Sequence, residues 1–490
     1  MVRSGRRRRR ALGAALGLCA LVGGLGAHAL PAVALPAAPV PDTPSATTPA
    51  APETAATGAV IVRFKPGTAP AISSAARDRA LSAAGPADVD LDAARTLATG
   101  ATLVTGATPD QAVDVAADLR TRADVAYAEP DIRLTVHATD RFFSSQWDLR
   151  SSPVGIGAAE VWDRTQGEGV VVAVIDSGIV EHPDLAGQVL PGYDFISDAR
   201  TARDGGGRDA DPSDTGDWQA LNECAGDPSA LPSTWHGTHV AGTIAALAHN
   251  GIGVAGVAPK ASILPVRAIG RCGGSLSDIA DGLTWASGGK VTGVPANRTP
   301  ARVVNLSVGG RTACPKTLQA AITGAVARGT IVVTASGNDG LDARGDTPGN
   351  CTGVLNVAAT AGDGSRAPYS NYGPNVGISA PGGAVTADAI LSTVDRGRRG
   401  PTGPGYGLMV GTSMAAPHVS GVAALLLAAE PSLTPAQLRR LLVSTAKPFP
   451  RTCGGCGSGI VDAPAALAAL TDATKRTTKS TTKSGTRQGR

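Results

Sequence analysis

Aromatic residues are scarce, with five Trp, five Tyr and five Phe among 490 residues, or 3%. So few rings leave little for stacking bases or sugars, which argues against single-stranded nucleic-acid and carbohydrate binding. Charged residues are also sparse at 17%, yet 42% of the chain is hydrophobic, too much for a chain disordered throughout. No apolar span follows residue 470, so neither a membrane bundle nor a C-terminal anchor is expected. The body also lacks a positive surplus. The net charge is +4, but residues 1–29 hold six Arg and no acid, and residues 471–490 hold six Lys or Arg against one Asp; the remainder carries −7. A basic partner surface is not implied.

What is present begins with Arg6 to Arg10, an apolar run over 11–26 and small residues at Ala27-His28-Ala29 and Ala32-Val33-Ala34. This reads as a secretory signal over 1–34. The alternative, a short membrane anchor, needs about 20 apolar residues and the run falls short. Setting aside Cys19 within the run leaves Cys224, Cys272, Cys314, Cys351, Cys453 and Cys456. In an exported chain six cysteines suggest three disulfides, with 15 pairings formally open. Only Cys453 and Cys456 form a close pair, which argues against zinc.

Residues 35–57 have the Pro, Ala and Thr composition of a linker. Within 58–139, strand patterns at 59–64, 101–105 and 125–129 alternate with helical ones at 71–84 and 109–122, predicting a small α+β unit of ferredoxin-like type. Over 140–470, β-branched runs at 170–175, 263–266, 303–306 and 331–334 alternate with helical stretches at 236–249, 275–287, 315–328 and 412–429. That pattern predicts an α/β fold, a mostly parallel sheet with helices on both faces. Residues 471–490 read as a basic, solvated tail.

Polar residues collect where these strands end, the place where open α/β sheets gather their reactive groups. Asp176-Ser177-Gly178 follows the first run. His236-Gly-Thr-His opens a helix, and Gly411-Thr-Ser413 opens a long Ala/Leu helix whose free N–H groups suit a developing oxyanion. Serine becomes nucleophilic when imidazole takes its proton and a carboxylate fixes the imidazole tautomer. Asn338, on the Gly-bearing loop after 331–334, offers a second oxyanion donor. Taken singly, each piece has an ordinary reading as a turn, a cap or an N-cap box. Jointly they point to catalysis. Ala415 breaks the Gly-x-Ser-x-Gly pattern around Ser413, which argues against a lipase-type hydrolase.

The order Asp176-Ser-Gly, His236-Gly-Thr-His-Val-Ala-Gly and Gly411-Thr-Ser-Met-Ala-Ala-Pro-His resembles the subtilisin-like serine proteases, or subtilases. The resemblance covers most of 140–469. It implies that Asp176 orients His236, that His236 is general base and acid, that Ser413 is the nucleophile and that Asn338 helps bind the oxyanion. It also implies that Ser307, Val308 and Gly309 pair with an extended peptide, and that Ala335, Ser336 and Gly337 wall the pocket for the residue before the scissile bond. Gly309 and Gly337 are expected to be bare so as not to block that peptide. The unit at 58–139, ending Tyr127-Ala-Glu-Pro-Asp131, looks like the inhibitory propeptide of the family. His239 and His418 are expected to be packing residues.

Further expectations follow for this chain. The Gly-rich acidic insertion offers Asp204, Asp209, Asp211 and Asp214 as oxygen ligands for a structural Ca²⁺, with a solvated acidic loop as the alternative. Position along the chain suggests bridges between Cys224 and Cys272, Cys314 and Cys351, and Cys453 and Cys456. Self-cleavage is expected between about Thr135 and Ser145. The whole reads as a secreted, monomeric endopeptidase acting on proteins or peptides through an acyl-enzyme, inhibited by its own propeptide, with no nucleic-acid partner and no membrane anchor. The competing class is a catalytically silent scaffold that holds peptides in the same groove.

Overall fold

A computed structural model of the chain describes residues 56–84, 89–132, 140–225 and 228–470. The expected signal segment, nearly all of the linker, the basic tail and the stretch 133–139 lie outside the described residues.

Residues 56–132 build β1 (Ala56–Phe64), α1 (Ala69–Ile72), α2 (Ser74–Ser82), β2 (Asp92–Thr96), β3 (Thr102–Thr105), α3 (Pro109–Thr121) and β4 (Val125–Ile132). The strands pair antiparallel in the order β2-β3-β1-β4, the ferredoxin-like arrangement. Thr108 and Gln111 cap α3 reciprocally, and Pro109 starts it with a preset φ. Ala112, Val115, Ala116 and Leu119 then fall on one face and are buried. Strand β2 was not expected. Its five residues, Asp-Ala-Ala-Arg-Thr, are all exposed and carry no apolar alternation, so only pairing with β3 makes it a strand.

In the body the strands are β5 (Val171–Asp176), β6 (Tyr193–Asp194), β7 (Ser262–Arg267), β8 (Val303–Leu306), β9 (Gly310–Arg311), β10 (Ile331–Ala335), β11 (Asp346–Thr347), β12 (Val354–Thr360), β13 (Ile378–Pro381), β14 (Ile390–Asp395) and β15 (Pro404–Met409). Seven of them form a parallel sheet in the order β13-β12-β10-β8-β5-β7-β6. Period-two alternation sends Val172 and Val174 to one face of β5 and Ala173 and Ile175 to the other. Between β6 and β7 lie α4 (Ala199–Ala202) and α5 (His236–Ala245); α6 (Leu276–Ala286), α7 (Lys316–Ala327), α8 (Thr412–Ala429) and α9 (Pro435–Ser444) follow. Helices α5 and α8 cover the face that holds Val172 and Val174, and α6 and α7 the opposite face.

Helix α8 is apolar on every side and buried from Thr412 to Leu427. Among the described residues it is the one helix long and apolar enough to cross a membrane, and its burial marks it as the core helix. Helix α5 stops at Ala245, short of the expected 249. The amides of His249, Asn250 and Gly251 donate to the carboxylate of Asp140 (2.9, 2.9 and 3.3 Å), so that segment turns away rather than continuing the helix.

From β5 the chain goes to the edge strand β6, returns through β7 beside β5, and then crosses to β8 on the other side of β5. The sheet order therefore reverses between β5 and β8. Their carboxyl ends bound the crevice where doubly wound sheets bind ligands.

Candidate active site

Asp176 ends β5 in that crevice, only 1% exposed. Its Oδ1 accepts the backbone N–H of Ser177 (2.8 Å) and faces Nδ1 of His236 at 2.7 Å. His236 is the first residue of α5, placed there by Trp235, whose left-handed φ of 54° turns the chain and whose indole donates to Gly397 O at 2.7 Å. Gly237 lets the helix start abut the strand end. A Cβ there would lie 2.2 Å from Gly178 O and 3.2 Å from Asp176 Cβ. A second strut runs beside the first: Ser177 Oγ accepts Gly237 N–H (3.0 Å) and donates to the buried carboxylate of Asp214 (2.7 Å).

These contacts set the electrostatics. Burial pulls the His236 imidazole down, but the charge and hydrogen bond of Asp176, with the charges of Asp217 and Asp214 behind it, outweigh burial and hold it above its usual value. Asp214 is itself pushed up to about 7 by burial and by the charge of Asp217.

Ser413 is the second residue of α8 and 5% exposed. Its hydroxyl donates to Ser307 O, and the Ser307 hydroxyl donates to Ser413 O, both at 3.0 Å. Asn305 Nδ2 donates to Ser307 Oγ and Ser420 Oγ to Asn305 Oδ1, both at 2.8 Å. This buried relay pins the end of β8 to the start of α8. Asn338, on the loop after β10, accepts the N–H (2.9 Å) and hydroxyl (2.8 Å) of Thr412 at Oδ1. With Oδ1 so occupied, Nδ2 is the end of the amide left to donate, beside the free N–H groups of the helix start.

All four groups line one cleft of about 680 Å³, together with Ser307, Val308, Gly309, Ala335 and Gly337. Ser336 departs from expectation. It is fully buried and its hydroxyl donates to Asn371 O at 3.1 Å, because alternation along the extended chain turns it away while Ala335 and Gly337 face the cleft. The two glycines also serve another purpose than the one expected. A Cβ on Gly309 would sit 2.9 Å from Thr347 O, and one on Gly337, where φ is 104°, 2.3 Å from Asn371 Nδ2. The fold behind the cleft requires them.

Neither His239 nor His418 lines the cleft. His239 directs Nε2 at Ile390 O and Gly407 O (3.1 and 3.2 Å), tying the β14–β15 hairpin to α5, and burial, aided by the charge of His236, pushes it down to about 3. His418 sits between Met414 O (2.8 Å) and Asp148 (2.9 Å).

The four aspartates expected to hold Ca²⁺ do not converge. Asp209 and Asp211 bond within their own turns, to Asp211 N and to Ser213. Asp214 belongs to the strut under His236. Asp204 pairs with Arg267 (2.6 Å), whose buried guanidinium also reaches Asp194 (2.5 Å), Ala202 O and Thr215 Oγ1. Among the described residues no three His, Cys, Asp or Glu side chains form a metal-holding group. A side-chain cation thus organises the insertion, and the expected ligand set does not fit a metal. EDTA is accordingly expected to leave hydrogen exchange over residues 203–217 unchanged. Arg267→Gln, which leaves Asp194 buried without its cation, is expected to cost about 3–5 kcal/mol in chemical denaturation. Faster exchange under EDTA would show that a metal is held there after all.

The structure joins Cys224 to Cys272, Cys314 to Cys351 and Cys453 to Cys456, the pairs expected from position. The first ties the insertion to the segment after β7. The sequence motifs alone do not point to Asn305 or Ser420, nor to Ser177 and Asp214 as a strut beneath His236. Asn305 carried a signal, an amide inside an otherwise apolar strand, which burial obliges to find partners.

A family model described as the subtilase family matches residues 167–486. An extracellular protease of Xanthomonas campestris is 48% identical over 402 residues, covering 80% of this chain and 68% of its own. An extracellular basic protease of Dichelobacter nodosus is 49% identical over 359 residues, covering 71% of this chain and 58% of its own. The chain thus spans roughly three fifths to two thirds of these relatives' length. Among solved structures, a protease of Pseudoalteromonas arctica is 51% identical with a TM-score of 0.67, covering 68% of this chain and all of that one.

Proposed function

The chain belongs to the subtilase family of serine endopeptidases, and from that premise we propose that Asp176, His236 and Ser413 hydrolyse peptide bonds through an acyl-enzyme, with Asn338 as an oxyanion donor. The observation that carries this reading is the convergence of an ion-paired imidazole, a helix-start hydroxyl and a free amide donor on one cleft. The protein is secreted, as the extracellular proteases that it resembles are.

In this mechanism Asp176 holds the proton on Nδ1 of His236 and leaves Nε2 as the base. The Ser413 hydroxyl turns from Ser307 O to Nε2, gives up its proton and attacks the scissile carbonyl. Charge then develops on the carbonyl oxygen, where Asn338 Nδ2 and the helix-start N–H groups meet it. His236 returns the proton to the departing amine, and a water deprotonated by the same imidazole releases the acyl group. Asn338→Ala is expected to lower kcat about 10²–10³-fold with KM little changed, a magnitude carried over from subtilisin. An unaltered kcat would remove Asn338 from the mechanism.

Residues 58–139 act in this reading as an intramolecular inhibitor removed by self-cleavage. Asp140 is anchored on the amides of 249–251, and Gln146 exchanges hydrogen bonds with both backbone groups of Ala255 (2.7 and 2.8 Å). A cut before Asp140 keeps these anchors within the mature body, which narrows the expected site to its N-terminal half. Labelling of Ser413 by a fluorophosphonate, with cleavage of casein, tests the assignment. Absence of both after propeptide removal would favour the silent peptide-binding scaffold.

A further inference from the structure

The floor of the cleft carries charge that the chemistry above does not use. Between the walls at Ser307–Gly309 and Ala335–Gly337 runs β11 and the proline after it. The segment touches both walls, since a Cβ on Gly309 would meet Thr347 O and one on Gly337 would lie 3.2 Å from Asp346 Cγ. Asp339 and Asp346 line this part of the cleft, and among the described residues no Lys or Arg lines it. The Cys314–Cys351 bridge holds the strand after the first wall against the floor segment.

The two carboxylates are unequally matched. Asp346 is buried and accepts from Arg311 Nη1 at 2.9 Å and from Asn371 Nδ2 at 2.8 Å. Asp339, with a side chain 15% exposed, approaches the same guanidinium nitrogen only at 3.8 Å. One guanidinium is thus shared by two carboxylates. That Asp346 is raised to about 6, by burial and the charge of Asp339 against the pull of Arg311, reflects the same crowding. A neutral side chain filling the slot would strip water from Asp339 and give nothing back, and an acidic one would add repulsion. A second cation would complete the set.

We propose that this slot selects Lys or Arg as the residue before the scissile bond, with Asp339 as the group that meets its charge and Asp346 and Arg311 holding the floor in place. This rests on the proteolytic reading and adds the substrate class to it. The test is a series of peptide anilides differing only in that residue (Arg, Lys, Leu, Phe or Glu), given to the processed enzyme and to Ser413→Ala at mildly alkaline pH. Arg and Lys are expected to exceed Leu and Phe in kcat/KM by about tenfold or more, with Glu lowest, the size of a charged hydrogen bond gained in a partly desolvated site. Asp339→Asn is expected to lower the Arg-to-Leu ratio by a similar factor, and Asp339→Lys to raise Glu above Arg. Active-site titration with a fluorophosphonate confirms that each Asp339 variant is folded, and an unchanged melting curve does so for Ser413→Ala. Ser413-dependent hydrolysis that favours Leu or Phe, with a ratio indifferent to Asp339→Asn, overturns the preference alone. No Ser413-dependent hydrolysis of any peptide overturns the proteolytic reading and the preference with it.

Discussion

Ser413→Ala leaves the chain as an unprocessed precursor and lowers kcat toward casein by about 10⁶, the size known for loss of the nucleophile in subtilisin, a member of the same family. The substitution is well suited to isolating chemistry from folding. The Ser413 hydroxyl donates only to Ser307 O, and the return bond, from the Ser307 hydroxyl to Ser413 O, uses backbone and survives. One hydrogen bond of this kind is worth about 1 kcal/mol, so the melting curve should move little while turnover vanishes. Processing follows activity if the cut is self-inflicted. A mature N-terminus appearing unchanged in the variant would assign the cut to an outside protease.

Asp176→Asn is expected to lower kcat by about 10⁴, as in unrelated serine proteases built on the same three groups. The Ser177 amide and Nδ1 of His236 meet the same atom, Oδ1, while Oδ2 is buried without a hydrogen-bond partner. An Asn that keeps its oxygen there accepts from both but brings no charge to the imidazolium and buries an unpartnered NH₂. An Asn turned the other way sets its NH₂ against the Ser177 N–H and drives the imidazole proton to Nε2, so the base is lost. The variant also removes the carboxylate that holds His236 above its usual value. Activity requires the neutral ring, so wild-type kcat/KM falls as pH drops through that raised value. The residual activity of Asp176→Asn should survive to lower pH. A loss below tenfold, or an acidic limb that does not move, would sink this account of the Asp176 charge.

Much of this arrangement was legible in the order of residues because the crevice is made from strand ends and helix starts, both of which have local signatures. The run 303–306 is β8 without adjustment, and the helix over 412–429 is α8. Asp176, His236, Ser413 and Asn338 stand at four such junctions. What could not be read is what only folding brings together. Arg267 and Asp204 are far apart in the chain, and nothing in a Gly-rich acidic loop announces that a buried arginine will neutralise it. Strand β2 has no pattern of its own, and Ser336 was grouped with its neighbours because motif adjacency ignores the alternation that turns it inward. Asp339 and Asp346 are seven positions apart, and only the pairing of β9 with β11 sets the second beneath the slot.

The nucleophile sits at the tip of α8, a helix buried from Thr412 to Leu427. Regions that open locally are those with few buried contacts, and this helix has none of that character. Ser413 therefore cannot be unseated by fraying of a loop or loss of an edge strand; its geometry persists until the core itself opens. The seating of the nucleophile becomes an all-or-none property of each molecule, so that in a partly denatured population the loss of Ser413 labelling is expected to follow the opening of the core.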